Sequence, residues 1–510
     1  MELELKKESL DTYVSGGELV LTQEETAETI VPDYCPDIAR IIHTSAAAYL
    51  RSQEVREGRA ELSGTIQVTV LYTPDGEGGV RALEVAMPFT VESDGRAFPD
   101  CQLLLAETEA EAPESRTLNP RKILTRCKLV SRISGYRSAP LTVCSDVSGD
   151  ACVEKRRETQ RAILLTQIAE KEFTFTDTFR LSQGRPGAAE LLGSRVTPCV
   201  TESRIIGNKL LLKGVFTLSV LYRTAEGGCC AAGGELPFSQ ILEVEGAPED
   251  AQISLRLRLT GTDIQVDEDD PEGRQLGVTL YLHATALLRQ ERELTMLTDL
   301  YSTACDMRCE VSPLSTISFL ETTTRRQTIR EILEIGVSAD SILSLSADCG
   351  QVFISREEGT TVLRTAITVR ALYLDEGGVP LSVERTVDGS CRLELPEHCV
   401  VRGEAVCPEE VQGSLSPRGI EVRFPVEFQV EAAQETSRMC VTAASLDPDS
   451  PKDTAAAPSL VLRRMGRGET AWDLAKRHNT TVADILSANH LEDESALAGE
   501  RLILIPKKRI

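Results

Sequence analysis

This sequence predicts a mainly β protein: three tandem β-rich, sandwich-like repeat domains followed by a small βααβ domain. Three observations carry that expectation. The first is a strand written three times, at residues 65–72, 215–222 and 366–373. Each copy alternates, with Ile66, Val68, Val70 and Tyr72 on one face, then Phe216, Leu218, Val220 and Tyr222, then Ile367, Val369, Ala371 and Tyr373. A period of two is what a half-buried strand requires. The second is spacing: the closing tyrosines at 72, 222 and 373 lie 150 and 151 residues apart. A domain-sized unit has therefore been copied, because solenoid repeats recur every 20 to 50 residues, roughly. The third is a change after residue 459, where helical spacing replaces alternation.

Taken in order, the first unit spans 1–150. A candidate strand at Leu19-Val-Leu21 precedes Pro32-Asp33-Tyr34-Cys35-Pro36-Asp37-Ile38, whose two prolines exclude a helix interior and favour turns. Gly64 and Gly214 each lie eight residues before their tyrosines, where the third copy has Thr365. Glycine-rich turns follow all three strands, and the first two copies then reach Pro88-Phe89 and Pro237-Phe238. An alternating run before such a turn is a hairpin signal. The second unit spans 151–311. Its residues 160–170 fit a short helix or a strand, whereas Phe173, Phe175 and Phe179 head a β-like stretch. Residues 266–273 form an acidic loop without the oxygen spacing of an EF-hand, so a solvated loop is expected. Residues 277–286 read as a late strand. The third unit spans 312–446, and its late strand contains Pro425, as an edge or bulge would. Residues 447–459 hold three prolines and small residues and read as a linker.

The last segment, 460–510, opens with Leu460-Val-Leu462. Thr470 is placed to cap a helix that carries Trp472, Leu474 and Ala475 on its apolar face. Thr480 or Thr481 caps a second helix with Val482, Ile485 and Leu486 inward, and Arg501-Leu-Ile-Leu-Ile-Pro506 closes the module as a strand.

The formal charge is −24 over 510 residues, with 4% aromatics. Such acidity argues against nucleic acid or an anionic membrane as the main partner, since those surfaces demand clustered Lys and Arg. Residues 460–510 hold nine Lys/Arg and seven Asp/Glu, net +2, which leaves −26 on the first 459. The tail is the part least repelled by an acidic protein. No run of 18 apolar residues exists, and the charged N-terminus lacks a signal peptide's apolar middle. A cytosolic protein with its fifteen cysteines mostly as buried thiols is the expectation.

No phosphate loop, zinc-protease helix or nucleophile elbow occurs, so no catalytic residues are expected. His283 sits in an alternating strand and reads as a core or face residue. Cys305-x₃-Cys309 and Cys391-x₇-Cys399-x₇-Cys407 lack the paired spacing that supplies four zinc ligands. Neither a metal nor a cofactor is expected. Cys229-Cys230 falls in a hairpin turn, and Cys35 lacks an adjacent base.

Gly468-Glu469-Thr470, Trp472, Leu474-Ala475-Lys476, Val482-Ala-Asp-Ile-Leu486, Asn489, Gly499-Glu-Arg-Leu502 and Ile505-Pro506 together resemble a LysM domain. Pro32-Asp33, Pro36-Asp37-Ile38 and the Gly-x₇-Tyr strands with their Gly-Gly turns resemble the SPOCS domains found in tandem in spore-forming Firmicutes. The resemblance implies a non-enzymatic adaptor in spore-coat assembly, working in the mother-cell cytosol at the forespore surface. Its LysM would dock a coat ATPase of the basement layer, and its β repeats would mediate assembly, including self-association through open strand edges. Carried over from the LysM family, the ligand loops are Gly468, Glu469, Thr470 and Ala471 with Asn489, His490 and Leu491. Trp472 beside Lys476 is a candidate hot spot for an acidic protein. Ala471 stands where a bulkier aliphatic is common, and His490 where proline is common. The alternative that the family implies is a glycan ligand, making the protein a peptidoglycan or cortex anchor.

Overall fold

In the computed structural model, residues 3–76, 78–148, 152–452, 458–494 and 502–507 are described. The first unit contains β1 (Glu4–Leu10), β2 (Tyr13–Ile30), β3 (Ile38–Arg56), β4 (Arg59–Pro74), β5 (Arg81–Glu92), β6 (Leu103–Asn119), β7 (Lys122–Ser138) and β8 (Leu141–Ser148). The second contains β9 (Val153–Arg180), β10 (Glu190–Ile206), β11 (Lys209–Arg223), β12 (Cys229–Glu243), β13 (Gln252–Val266) and β14 (Gln275–Ser302). The third contains β15 (Cys305–Leu333), β16 (Ala339–Glu357), β17 (Thr360–Asp375), β18 (Pro380–Leu393), β19 (Val400–Val406), β20 (Gln412–Ser416) and β21 (Gly419–Pro451).

Every unit is a sandwich of two antiparallel sheets in the same order. One sheet is β3-β4-β5, β10-β11-β12 or β16-β17-β18; the other is β2-β7-β6, β9-β14-β13 or β15-β21-β19. The thrice-written strand is the middle of the first sheet. Its inward face builds the core, where Tyr72 and Tyr222 are fully buried and Tyr373 nearly so. The Tyr72 hydroxyl donates to Pro36 O at 3.3 Å, and that of Tyr222 to Pro186 O at 3.0 Å. A carbonyl thus satisfies the buried phenols of Tyr72 and Tyr222.

The glycine that precedes the tyrosine has a packing reason. Gly64 pairs with Phe89, and Gly214 with Phe238. A Cβ on Gly64 would stand 2.2 Å from Tyr49 O and 2.6 Å from the Phe89 ring; on Gly214, 2.2 Å from Cys199 O and 2.7 Å from Phe238. In the third unit the small residue has crossed the ladder, because Thr365 pairs with Gly389. Gly214→Ala is expected to destabilise its sandwich by about 1–3 kcal/mol, the usual cost of overpacking a filled core. Urea unfolding would read this as a lower midpoint at unchanged slope.

Residues 160–170 are strand, because they pair in sequence with β14 from Leu294 to Thr285. β14 continues past the expected 286 to Ser302, and β15 begins at Cys305, so the third unit starts before 312. The expected linker also begins late. β21 runs on to Pro451, with Asp447 paired to Asp306 and Pro451 to Cys305; residues 453–457 of that stretch lie outside the described residues. These extensions form two-stranded ribbons beyond the sandwiches, joined by the β1–β8 ribbon. Leu3, Cys144, Val147, Val153, Leu297, Leu300, Val441, Ala444 and Leu446 pack together where the ribbons meet.

The three units close on themselves. β5 touches β10, β12 touches β16, and β18 returns to β3. At the centre Ile42, Leu192 and Leu343 meet Leu71, Leu221 and Leu372, the residues immediately before the three tyrosines. Each copied strand therefore sends its tyrosine into its own sandwich and the neighbouring leucine into a shared junction. Arg40 Nη2 donates to Pro380 O at 2.8 Å and Ser382 Oγ to Ile42 O at 2.6 Å, sealing the third unit against the first.

A cavity of about 1960 Å³ lies between the units. In its wall Arg256 bridges Glu107 at 2.9 Å and Glu404 at 3.5 Å, one residue from each unit. Desolvation, then the nearby Glu107 carboxylate, pushes the Glu404 carboxyl up from its ordinary 4.5 to about 7. A raised carboxyl pKa means that the folded state holds the proton more tightly. The corresponding stability is fully present below the ordinary carboxylate value and is lost as pH rises through about 7. The melting temperature is expected to fall across that window, and Glu404→Gln to flatten the fall; calorimetry at stepped pH reads both.

Candidate binding site on the C-terminal module

The C-terminal module pairs β22 (Leu460–Arg464) with β23 (Leu502–Pro506) and packs α1 (Ala471–His478) and α2 (Val482–Ala488) beside them. Thr470 caps α1 reciprocally: its Oγ1 accepts from Asp473 N at 3.2 Å, while Asp473 Oδ2 accepts from Thr470 N at 2.9 Å. The helix ends on Asn479 in the left-handed region, with φ 53°. Thr481, rather than Thr480, caps α2 by accepting from Asp484 N at 3.0 Å. Met465, Ala471, Trp472, Leu474, Ala475, Ile485, Ile503 and Ile505 fill the core.

Most of the nine candidate residues are occupied by this fold. Asn489 Nδ2 donates to Ile485 O and Leu504 O, both at 2.7 Å, and its Oδ1 accepts from Leu504 N at 2.9 Å. It locks the end of α2 to β23. Glu469 Oε2 accepts from Gly466 N at 3.0 Å, and Arg463 and Arg477 flank the carboxylate. The Gly466 amide, followed by the two guanidiniums, holds Glu469 below the usual carboxylate range. Ala471 is buried, and Leu491 packs half-buried against the core. Gly468, with φ +79° and open space where a side chain would stand, and His490, with φ 52°, remain on the exposed rim.

Trp472 and Lys476 are placed differently from the exposed hot spot that the sequence suggests. Trp472 is only 7% exposed, and its Nε1 donates to Asp299 Oδ2 at 2.8 Å. Lys476 Nζ reaches the same carboxylate at 2.6 Å and 2.8 Å. The Tyr301 ring meets the indole edge-on, 4.9 Å between centroids, and its hydroxyl donates to Thr480 O at 2.8 Å. Lys452 Nζ bridges Ser302 O and Asn479 Oδ1, both at 2.7 Å. The end of the β14 ribbon therefore already covers this side of α1. Asp299, Tyr301 and Lys452 had no local signal in the sequence, because their partners lie 173, 179 and 27 residues away.

Among the described residues, no three His, Cys, Asp or Glu side chains converge as a metal site, and no helix is long and apolar enough to cross a membrane. His283 is buried in β14, with Thr285 Oγ1 3.4 Å from its Nδ1. Asp270, in the acidic loop, accepts from the amides of Glu272, Arg274 and Gln275 and so closes the turn.

Architecture and site thus define a tandem β-sandwich protein carrying a small appended binding module. The family model described as SipL, SPOCS domain matches residues 37–105 and 188–267, and that of the LysM domain matches 466–504. The chain contains SPOCS and LysM domains, both non-catalytic binding domains, which mark it as sporulation-related and capable in kind of peptidoglycan binding. The SPOCS matches begin 151 residues apart, on the stretch that holds the motif-bearing sheet of the first and second units. The third unit, outside both matches, repeats their strand order. No curated protein matches the chain.

Proposed function

We propose that the protein is an assembly adaptor of the spore envelope, acting in the mother-cell cytosol at the forespore surface. The β units serve as the assembly body, with self-association through their strand edges, and the LysM module docks a coat morphogenetic ATPase of the basement layer. The observation that carries this reading is the fixing of the LysM module to the ribbon by Asp299, Tyr301 and Lys452. A module held in this way presents one defined face, the rim at Gly468 and His490, at a set position on a large body. That arrangement suits an adaptor that relates one protein to another.

The module's family favours a second reading, in which the same rim takes a glycan and anchors the chain to peptidoglycan or cortex. Titration calorimetry of the full chain against the purified ATPase and against chitooligosaccharide separates the two. Micromolar binding to the ATPase, weakened at least tenfold by His490→Glu, is the expected result. Binding to the sugar alone would overturn it.

A further inference from the structure

Two thiols meet on the wall of the central cavity. Cys349 lies in β16 at the register shift before Val352, and Cys407 directly follows β19. Their Sγ atoms are 3.4 Å apart, although 58 residues separate them in the chain. Both are half-buried and line the cavity. Among the described residues, no other two thiols hydrogen-bond. A disulfide requires about 2.05 Å between sulfurs, so a movement of about 1.4 Å would close the pair.

The two sulfurs share their surroundings. The two thiols share one hydrogen bond, in which either sulfur can be the donor. Burial disfavours both thiolates, the Arg195 guanidinium, reaching from the second unit, favours both, and the Asp348 carboxylate opposes both. Arg195 pairs with Asp348, which pairs in turn with Arg370 at 2.7 Å.

We infer that Cys349 and Cys407 form a dithiol site that closes to a disulfide by exchange with a low-molecular-weight disulfide entering the cavity. The thiolate of one cysteine attacks one sulfur of the incoming RSSR, breaks its S–S bond and expels RS⁻, leaving a mixed disulfide on that cysteine. The other cysteine then gives up its proton and attacks the sulfur of the first, expelling the second RS⁻. The protein loses two electrons and two protons, and RSSR becomes two RSH. In a reducing compartment the pair stays open. Closure ties β16 to the segment after β19, where Glu410 lies against Gly233 of the second unit: a Cβ there would stand 1.9 Å from its carboxylate oxygen. Oxidation therefore fastens the segment that abuts the second unit.

The test uses the full chain, oxidised glutathione as the probe, quenching with iodoacetamide, and peptide mass spectrometry. The expected first product is a peptide pair linked through Cys349 and Cys407, lighter by two hydrogens, formed at least tenfold faster than adducts on the other cysteines. Cys349→Ser and Cys407→Ser should each abolish the linked pair, and in each the remaining cysteine should hold glutathione as a stable mixed disulfide. Recovery of both residues alkylated while other cysteines react would overturn the site.

Discussion

Leu221→Asp will open the ring of three units while leaving each sandwich folded. Leu221 is 8% exposed and meets Leu71 and Leu372, each 5% exposed, at the point where all three units touch. A carboxylate placed there gains no partner in the apolar cluster, and uncompensated burial of a charge costs several kcal/mol. The opposite face of the same strand is untouched, so Phe216, Leu218, Val220 and Tyr222 still hold the second core together. Small-angle scattering should show a larger radius of gyration, and circular dichroism an unchanged strand signal. Loss of both the compact dimension and the strand signal would show instead that the units do not stand without the junction.

The second large effect belongs to the only tryptophan in the chain. Trp472 fills the small core of the LysM module and also faces Tyr301 and Asp299. Trp472→Ala is expected to cost about 3–5 kcal/mol, the range for truncating a buried large aromatic, and to unfold the module. Asp299→Ala lies outside the module and should spare its fold. It deprives the indole N–H and the Lys476 ammonium of their shared acceptor, so the module loosens from the ribbon and Trp472 emission shifts to the red. Trp472 emission unchanged in Asp299→Ala would mean that apolar packing alone keeps the module in place.

Much of the architecture was legible in the chain, for definite reasons. The copied strand shows because one face of it is core, which forces alternation, and because a glycine and a phenylalanine must meet across the ladder. The LysM helices show because Thr470 and Thr481 are local caps. What stayed hidden has equally physical causes. The ribbon end of β14 alternates through Leu294-Thr-Met296, but a register shift between Leu297 and Asp299 and partial or full burial of both faces from Leu297 to Ser302 erase the period of two. Leu71, Leu221 and Leu372 share a strand face with the polar pairs Gln67/Thr69, Thr217/Ser219 and Thr368/Arg370, so alternation alone carries no sign of the junction they form. Cys407 was grouped with Cys391 and Cys399 by spacing, whereas the sandwich brings it to Cys349. For the nine site residues, the motif located the module correctly but could not tell a ligand contact from a hydrogen bond that builds the loop. Asn489 and Glu469 are of the second kind.

The Gly389–Thr365 pair constrains how this chain can be recombined. In the first two units the glycine sits on the middle strand and the ring on its neighbour; in the third, the middle strand carries the bulk and the neighbour the gap. A chimera that moves β17 alone beside β12 would set Thr365 against Phe238 and overfill the interior. One that moves β11 beside β18 would set glycine against glycine and leave a hole. Only whole hairpins are interchangeable parts, because the gap and the bulk that fills it lie on different strands.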